Sequence, residues 1–300
     1  MRYQLELRHL RYFLVVAEEL HFRRAAARLY ISQPGLSRQI KELENHIGAQ
    51  LFERHNRKVQ LTKAGAYLMS ELPRHLNGID HAVRHAKQLQ DGLHGDLKLA
   101  YVGSAMQQII PELLLTFRKD FPKVHFTLKE MENQAQIERI LTRDIDMGFV
   151  RLAAVPRELE SQVLLTEPFC LVLPTDHELN EKNFMDMSQL RDESFILFDP
   201  QYSPSYFENV MQIFGDSGYT PKVSHNTIHS DSIYKLVQNR FGISIIPQSL
   251  RMDHIKGVKF IVLENIVQRT VLSAVWDPTN RNPMLGAIIK MIVTDTQLTA

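Results

Sequence analysis

About the first fifty residues hold three helix signals joined by turns too short for a free loop. Apolar residues recur at helical spacing over 7–19 and again over 22–29, which predicts an amphipathic helix followed by a shorter one. A third apolar stripe starts at Leu36 and ends before Gly48. Only residues 30–32 separate the second helix from the third, which suits a helix-turn-helix corner. This end of the chain is therefore predicted to be a small helical domain built round that corner.

The third helix is delimited at both ends and has two unlike faces. Ser32 fits its N-cap, and Gly48 fits its C-terminal stop. One face is apolar, and the other carries Gln33, Pro34, Ser37, Arg38 and Lys41. Glutamine and arginine can contact base edges bidentately, and serine or lysine can hold phosphates. The polar face therefore predicts a recognition helix for DNA, with an ordinary solvated helix face as the alternative.

Residues 51–61 alternate in character and predict two short strands joined by a basic turn, a wing beside the helices. Arg54, Arg57 and Lys58 lie in this wing. Cationic side chains at such a position can reach flanking phosphates or the minor groove of DNA.

A long helix is predicted after Thr62, which can cap it. Its apolar residues step by three or four positions and form one seam: Leu68, Leu72, Leu76, Ile79, Val83 and Ala86. A seam of this period predicts pairing with a partner helix, most simply a second copy of the same chain. Pro73 interrupts the pattern and should cost roughly 3 kcal/mol or bend the helix. Residues 91–96 are expected to end the helix and serve as a hinge.

The net charge of +1 conceals an asymmetry between the two parts of the chain. Residues 1–94 hold 15 lysines and arginines against 9 acids, a balance of +6, and the rest holds 20 against 25, a balance of −5. A basic arm on an acidic body predicts that the arm meets a polyanion such as DNA and that the body does not.

From residue 97 onward, strand and helix signals alternate in two sets, which predicts an α/β body with mainly parallel sheets. A strand signal over 271–276 and a helix signal over 285–293 can return the chain to the first set. We therefore expect lobe I over about 97–165 and 271–300, and lobe II over about 166–270. Two such lobes form a cleft, the usual place for a small ligand.

The only cysteine, Cys170, cannot form an internal disulfide and suits a reducing compartment. Residues 1–8 lack a secretory apolar segment, and no uncharged apolar stretch is long enough to span a bilayer. A cytoplasmic location with no membrane partner is therefore expected.

Five stretches of the first 65 residues, in this order, are similar to the winged helix-turn-helix of LysR-type transcriptional regulators. They are Leu7-Arg8-His9-Leu10-Arg11-Tyr12-Phe13, Phe22-Arg23-Arg24-Ala25-Ala26, Ser32-Gln33-Pro34-Gly35-Leu36-Ser37-Arg38, Leu51-Phe52-Glu53-Arg54 and Leu61-Thr62-Lys63-Ala64-Gly65. The resemblance implies a DNA-binding domain over 1–62, a dimerising linker helix over 63–92 and a two-lobed, periplasmic-binding-protein-like effector domain over 93–300. It also implies a homodimer or homotetramer, promoter DNA and RNA polymerase as partners, and DNA contacts by Arg23 and Ser32 together with the helix and wing residues named above.

Three helix starts follow strands that are predicted to end at the cleft, at Ser104, at Asn133 and at Ser203. Helix N-termini favour negative charge, which predicts an anionic effector, with plain helix capping as the alternative. Segments such as Asp144–Arg151 and Gly242–Pro247 also resemble a narrower group, the regulators of aromatic-compound and muconate catabolism. That likeness implies a pocket lined by Ser104, Asn133, Ser203, Pro204 and Phe207, with Arg151 near its wall. The segments Met106-Gln107-Gln108 and Glu132-Asn133 depart from the group. A carboxylic acid is still expected, but the departures argue against muconate itself.

The sequence offers nothing that supports catalysis. Cys170 lies in an apolar run, where a buried structural thiol is expected, and His81 and His85 at i, i+4 lack a third metal ligand. Neither GxxxxGK[ST] nor GxGxxG is present. No metal and no cofactor are therefore predicted. Two other classes remain open: a solute-binding transport protein, against which the DNA-binding arm argues, and a DNA-binding protein whose cleft stays empty.

Overall fold

The computed structural model describes residues 5–55, 58–90, 95–152, 154–252 and 254–298. The chain divides into two compact units, Met1–Val83 and Arg84–Ala300. Each unit has hydrophobic core residues of its own. Within the described ranges no helix combines the length and apolar composition that a membrane span needs.

The first unit begins with three helices, α1 (Leu7–Glu19), α2 (Phe22–Arg28) and α3 (Gln33–Ile47). Their bounds confirm the helices predicted from periodicity. Oγ of Ser32 accepts a hydrogen bond from the amide of Gly35 over 3.3 Å, and Gly48 ends α3 with a φ of +76°. A left-handed residue at this point costs glycine little, because it has no Cβ. Local capping chemistry therefore fixes both ends of α3.

The predicted wing follows as two antiparallel strands, β1 (Phe52–His55) and β2 (Lys58–Leu61). One carboxylate joins the wing to the helices: Oε1 of Glu44, on α3, accepts the amides of Leu51 and Phe52 over 2.8 and 3.2 Å. The Phe52 ring also lies 5.4 Å, centroid to centroid, from the buried ring of Phe13. The wing is thus held to α3 by hydrogen bonding and to α1 by packing.

The long helix α4 spans Lys63–Gln90 and continues through Pro73. Oγ1 of Thr62 accepts the Gly65 amide over 3.0 Å, as predicted for its cap. The apolar seam behaves differently along its length: Leu72 and Leu76 are buried in the core of the first unit, whereas Ile79 and Val83 are exposed. The first half of the seam therefore packs in the chain's own core. The prediction that the whole seam pairs with a partner helix is wrong for this half.

Two expectations at the end of α4 fall outside what the structure describes. Residues 91–94 of the predicted hinge are not among the described residues, and neither are the side chains of His81 and His85.

The second unit alternates strands and helices. In chain order they are β3 (Asp96–Tyr101), α5 (Ile109–Asp120), β4 (His125–Glu130), α6 (Asn133–Leu141), β5 (Met147–Val150), β6 (Glu160–Glu167), β7 (Phe169–Pro174), β8 (Ser194–Phe198), α7 (Pro204–Asp216), β9 (Lys222–Thr227), α8 (Ser230–Gln238), β10 (Ser244–Pro247), β11 (Val258–Val262), β12 (Thr270–Trp276) and α9 (Pro283–Leu298).

Lobe I is a five-stranded sheet in the order β4-β3-β5-β12-β6. Side chains of α5 and α9 share a core with one face of this sheet, and those of α6 with the other. Lobe II holds the three-stranded sheet β10-β7-β11 and the pair β8-β9. The chain passes between the lobes at Pro168 and again over 263–269. Both passages are short, and each is flanked by a strand of lobe I.

The expectation of mainly parallel sheets is wrong. In the described part of the second unit, β3-β4, β3-β5 and β8-β9 are parallel, but β12 pairs antiparallel with β5 and β6, and β7 pairs antiparallel with β10 and β11. The sequence interpretation had no strand over 160–167 or 258–262. A strand that enters a sheet from the other lobe, as β7 and β12 do, does not follow the helical crossover of a βαβ unit and is therefore free to pair antiparallel with its neighbours.

Candidate DNA interface and effector cleft

The polar face of α3 is presented to solvent. Gln33, Pro34, Arg38 and Lys41 are exposed, whereas Leu36 and Ile40 are fully buried on the other face. Ser37 is half-buried, and Ser32 is exposed while its hydroxyl oxygen caps the helix. The predicted residues therefore share one surface, on which Ser37 is less exposed than the others and the Ser32 hydroxyl serves as the helix cap.

The three arginines of α2 have different partners. Nε of Arg24 lies 3.2 Å from Oε2 of Glu19, and Nη1 of Arg28 lies 2.6 Å from Oε2 of Glu18. Arg23 is exposed and forms no ion pair with any residue in the described ranges. Only Arg23 among the three thus presents an uncompensated cation, as a phosphate contact requires.

The basic wing is described less fully than α3. Arg54 lies in β1 and Lys58 in β2, at positions whose side chains fall outside the described part of the structure, and Arg57 lies outside it altogether. Tyr30 is a residue that sequence reasoning missed. It stands in the corner before α3 with a φ of +55° and is 95% exposed. The short corner was visible in the sequence, but the outward direction of this ring was not.

A cavity of about 250 Å³ lies in the second unit at the carboxyl ends of parallel strands from both lobes. Four of the six predicted effector residues line it: Ser104, Asn133, Arg151 and Ser203. The other two, Pro204 and Phe207, do not. Phe207 packs against the core of lobe II, and Pro204 is exposed in the first turn of α7. Successive residues of a helix point in different directions, so Ser203, the residue before α7, and Tyr206 in its first turn line the cavity, whereas Pro204 and Phe207 do not.

Arg151 is the most connected side chain of the cavity wall. Its Nε donates to Oγ of Ser104 over 2.8 Å, and its Nη1 donates to Oγ1 of Thr270 over 2.9 Å. Its Nη2 donates to Oε1 of Glu167 over 2.5 Å and to Oγ of Ser249 over 3.1 Å. Ser104 belongs to lobe I and Ser249 to lobe II. Glu167 is the last residue of β6 and Thr270 is the first residue of β12, the two strands beside the passages between lobes. The guanidinium therefore joins both lobes and both passages.

The charge of Arg151 is already matched within the protein. Its side chain is 9% exposed and that of Glu167 is 6% exposed. Burial lowers the pKa of Arg151, because it disfavours the charged form, while the neighbouring Glu167 carboxylate acts in the opposite direction. Four of its five N–H groups have the partners given above. The guanidinium therefore holds neighbouring side chains such as Ser104 in place and is not available as an unpaired cation for an anionic ligand.

The positioned groups are hydrogen-bond donors that face the cavity. Because Oγ of Ser104 accepts from Arg151, and no described residue accepts its hydroxyl hydrogen, that hydrogen is left for a ligand. Oδ1 of Asn133 accepts the backbone amide of Arg151 over 2.8 Å, which turns the Asn133 NH₂ group the other way. No described residue accepts a hydrogen bond from that NH₂ group. This wall of the cavity therefore donates hydrogen bonds.

Other polar residues of the lining were not predicted. Glu130 ends β4 and Asp231 stands in the first turn of α8, and the His229 ring precedes α8 with its Nδ1 3.8 Å from Oε1 of Glu130. Burial, with the nearby Glu130 and Glu132 carboxylates, raises the pKa of the Tyr202 hydroxyl, which also lines the cavity. Glu130 follows the same rule as Ser104, a polar residue at the end of a parallel strand. Because the sequence predicts an anionic ligand, it gives no reason to expect an acid in the lining.

Comparison with known proteins assigns the chain to a family. The family models for the LysR substrate binding domain and for the bacterial regulatory helix-turn-helix protein of the lysR family match residues 90–297 and 7–66. An uncharacterized HTH-type transcriptional regulator, YnfL of Escherichia coli strain K12, is 36% identical over 91% of each chain. The crystal structure of full-length BenM superposes with a TM-score of 0.60 at 28% identity over 98% of each chain. A BenM effector-binding domain solved with its effector benzoate gives 0.61 at 22% identity over 69% of this chain and 94% of that one.

The chain belongs to the LysR family of transcriptional regulators, with an N-terminal helix-turn-helix DNA-binding domain and a C-terminal effector-binding domain. Its relatives are regulators and not enzymes, in agreement with the sequence prediction. The attached DNA-binding domain also sets it apart from transport proteins that bind solutes with a similar two-lobed body.

Proposed function

We propose that this regulator responds to a small, carboxylate-bearing effector bound in the cavity between its lobes. The observation that carries the proposal is the donor wall: Arg151 uses the acceptor atoms of Ser104 and Asn133, so that their hydrogens face the cavity. A carboxylate accepts hydrogen bonds and donates none. The start of α7 at Ser203 and that of α6 at Asn133 add amide donors and positive dipole ends.

The proposed effector-binding residues are Ser104, Asn133, Arg151 and Ser203. Arg151 acts here as a positioning residue, since its charge is matched by Glu167. The resemblance to regulators of aromatic-compound and muconate catabolism supports a carboxylic acid as the effector, such as the benzoate bound by the BenM domain, and nothing more specific. Met106 and Gln107 occupy part of the cavity wall, which makes the long dicarboxylate muconate a poorer candidate.

On the DNA side we propose that a homodimer or homotetramer in the cytoplasm binds an interrupted-dyad promoter with paired winged helices and acts on RNA polymerase. The contacts are assigned to Arg23, Gln33, Pro34, Ser37, Arg38 and Lys41, with Ser32 fixing the helix and Arg54, Arg57 and Lys58 reaching the flanks. The proposed division is 1–62 for DNA binding, 63–92 for pairing and 93–300 for the effector. Effector binding shifts the relative orientation of the lobes, and altered spacing or bending of the bound DNA changes transcription.

The effector proposal is tested on the full-length protein by thermal unfolding with a panel of organic acids that includes benzoate and cis,cis-muconate. At least one carboxylate is expected to raise Tm in a concentration-dependent way, since a ligand that binds only the native state stabilises it. Ser104→Ala should abolish most of that shift, whereas Ser161→Ala, at an exposed position of β6, should not. Failure of the whole panel would favour a DNA-binding protein whose cleft stays empty.

A further inference from the structure

We propose that the effector carries an ammonium group next to its carboxylate, so that it is an α-amino acid and not a plain organic acid. The inference rests on the proposed function, because it takes the donor wall of Ser104 and Asn133 as the carboxylate site. It adds a second recognition element, the carboxylate of Glu130, which the anion-binding hypothesis leaves without a role.

Glu130 stands in the cavity without a hydrogen-bond donor of its own. No residue in the described ranges donates a hydrogen bond to its carboxylate, and its side chain is 38% exposed. The nearest cationic candidate is the His229 ring, whose Nδ1 is 3.8 Å away, beyond hydrogen-bond distance. A ligand donor therefore has an open acceptor to bind.

The charged or titratable groups of the lining, apart from the tyrosine hydroxyls and the paired Arg151, are two carboxylates and the imidazole of His229. Among the described lining residues, Arg151 is paired with the buried Glu167, whereas Glu130 and Asp231 bring two carboxylates, one from each lobe. A ligand that fills the cavity removes water from these groups, and an isolated carboxylate is costly to desolvate. An organic acid without a cation would add a like charge beside them. A ligand ammonium instead offsets the charge and supplies the missing donors.

The two recognition elements lie side by side. A Cβ placed on Gly103 would sit 2.9 Å from Oε1 of Glu130, so the carboxylate covers the residue that directly precedes Ser104. Donor and acceptor groups of the cavity are therefore neighbours, as the carboxylate and ammonium of an α-amino acid are on its single α-carbon. The cavity of about 250 Å³ lies below the usual range of ligand pockets, about 300–1,000 Å³, and suits a molecule of this size.

The test uses the full-length protein and the twenty proteinogenic amino acids, followed by matched analogues of each one that raises Tm. Leucine is compared with 4-methylpentanoate and 3-methylbutylamine, and phenylalanine with 3-phenylpropionate and 2-phenylethylamine. Titration calorimetry is expected to give at least one amino acid with a Kd at least about tenfold below those of both its analogues, the size of effect expected for a hydrogen bond to a charged group.

Glu130→Gln should raise the Kd for that amino acid at least about tenfold while leaving the deamino acid unchanged or better bound. Glu138→Gln, at an exposed position of α6, is the matched control and should change neither Kd.

Each other outcome has a definite meaning. Deamino acids that bind as tightly as amino acids, or a Glu130→Gln protein that binds the amino acid as the parent does, would overturn this inference and leave the carboxylate proposal standing. Amines that bind without a carboxylate would overturn the carboxylate proposal and this inference together. So would a complete absence of binding by amino acids and organic acids.

Discussion

Nη2 of Arg151 donates a hydrogen bond to Oε1 of Glu167 over 2.5 Å, with both side chains less than one-tenth exposed. The pair stands where the chain leaves lobe I for lobe II. A buried ion pair contributes little net stability when compared with an apolar pair, but removal of one partner leaves an uncompensated buried charge. The pair therefore makes the junction between lobes sensitive to any change at either residue.

Arg151→Met should lower the free energy of unfolding of the second unit by about 3–5 kcal/mol, because Glu167 is left buried without its cation. Glu167→Gln should be destabilising for the converse reason. Urea unfolding of the full-length protein measures both effects. The double variant should recover a large part of the loss, and a double variant as unstable as the sum of the two singles would contradict the assignment of a coupled pair.

Arg23→Ala should weaken binding to promoter and unrelated DNA alike and reduce the slope of log K against log salt by about one, the loss of one phosphate contact. Arg24→Ala is the matched control, because Arg24 already pairs with Glu19 and should change the slope less. Fluorescence anisotropy over a salt series gives both slopes. A slope for Arg23→Ala equal to that of the parent protein would show that Arg23 makes no phosphate contact.

Arg38→Ala and Gln33→Ala should lower affinity for the operator by about 1–3 kcal/mol each, with a much smaller effect on unrelated DNA. Both side chains are exposed on the polar face of α3, so the stability of the effector domain should not change. Competition binding with operator and scrambled DNA measures the ratio. Unchanged operator affinity in both variants would contradict the recognition-helix assignment.

Gly65→Ala should destabilise the first unit by about 1–3 kcal/mol, in the range of core overpacking. A Cβ at this position would lie 2.1 Å from the backbone oxygen of Leu51, an atom that cannot move without the wing. Gly286→Ala is the control, since a Cβ there meets nothing within 4 Å. Thermal unfolding compares the two, and equal Tm values would mean that the turn before β1 adapts freely.

Asp277 should make lobe I sensitive to acid. Burial alone would raise the pKa of Asp277, but hydrogen bonds from Thr279 and the ion pair with Arg143 outweigh burial and lower it. A lowered native pKa contributes stability that is present above the unfolded value, about 3.9, and is lost as the pH falls through the native pKa. Urea unfolding from pH 5 down to about pH 2.5 should show this loss, and Asp277→Asn should flatten it. An unaltered pH profile in that variant would refute the assignment.

The parts of the fold that depend on local chemistry were predictable from the sequence. The ends of α3 follow from Ser32 and Gly48, because a cap and a left-handed stop are short-range signals. The burial of Leu72 beside the exposure of Val83 was not predictable from periodicity, since one seam can face two different neighbours. Longer-range pairing, such as that of β12 with β6, leaves no trace in spacing.

The lining of the cavity was likewise predictable from the sequence only in part. Ser104 and Asn133 were found because polar residues at strand ends and helix starts converge at one edge of a sheet. Arg151 was placed near the wall, but its pairing with Glu167 depends on a contact between residues 16 positions apart. Glu130 was overlooked because its sign disagreed with the expected ligand, and only its place in the cavity reveals it.

Cys170 lies in β7, the middle strand of the lobe II sheet, with no exposed surface. Because it is the only cysteine of the chain, the uptake of a thiol reagent counts a single kind of event. The Cys170 side chain points to a face of that sheet and belongs to a core that residues of α7 and α8 complete, so the thiol reacts only after this core opens, and the labelling rate reports the opening of lobe II. A ligand that stabilises the native arrangement of the lobes should therefore lower the labelling rate of Cys170, and no engineered label is needed to measure it.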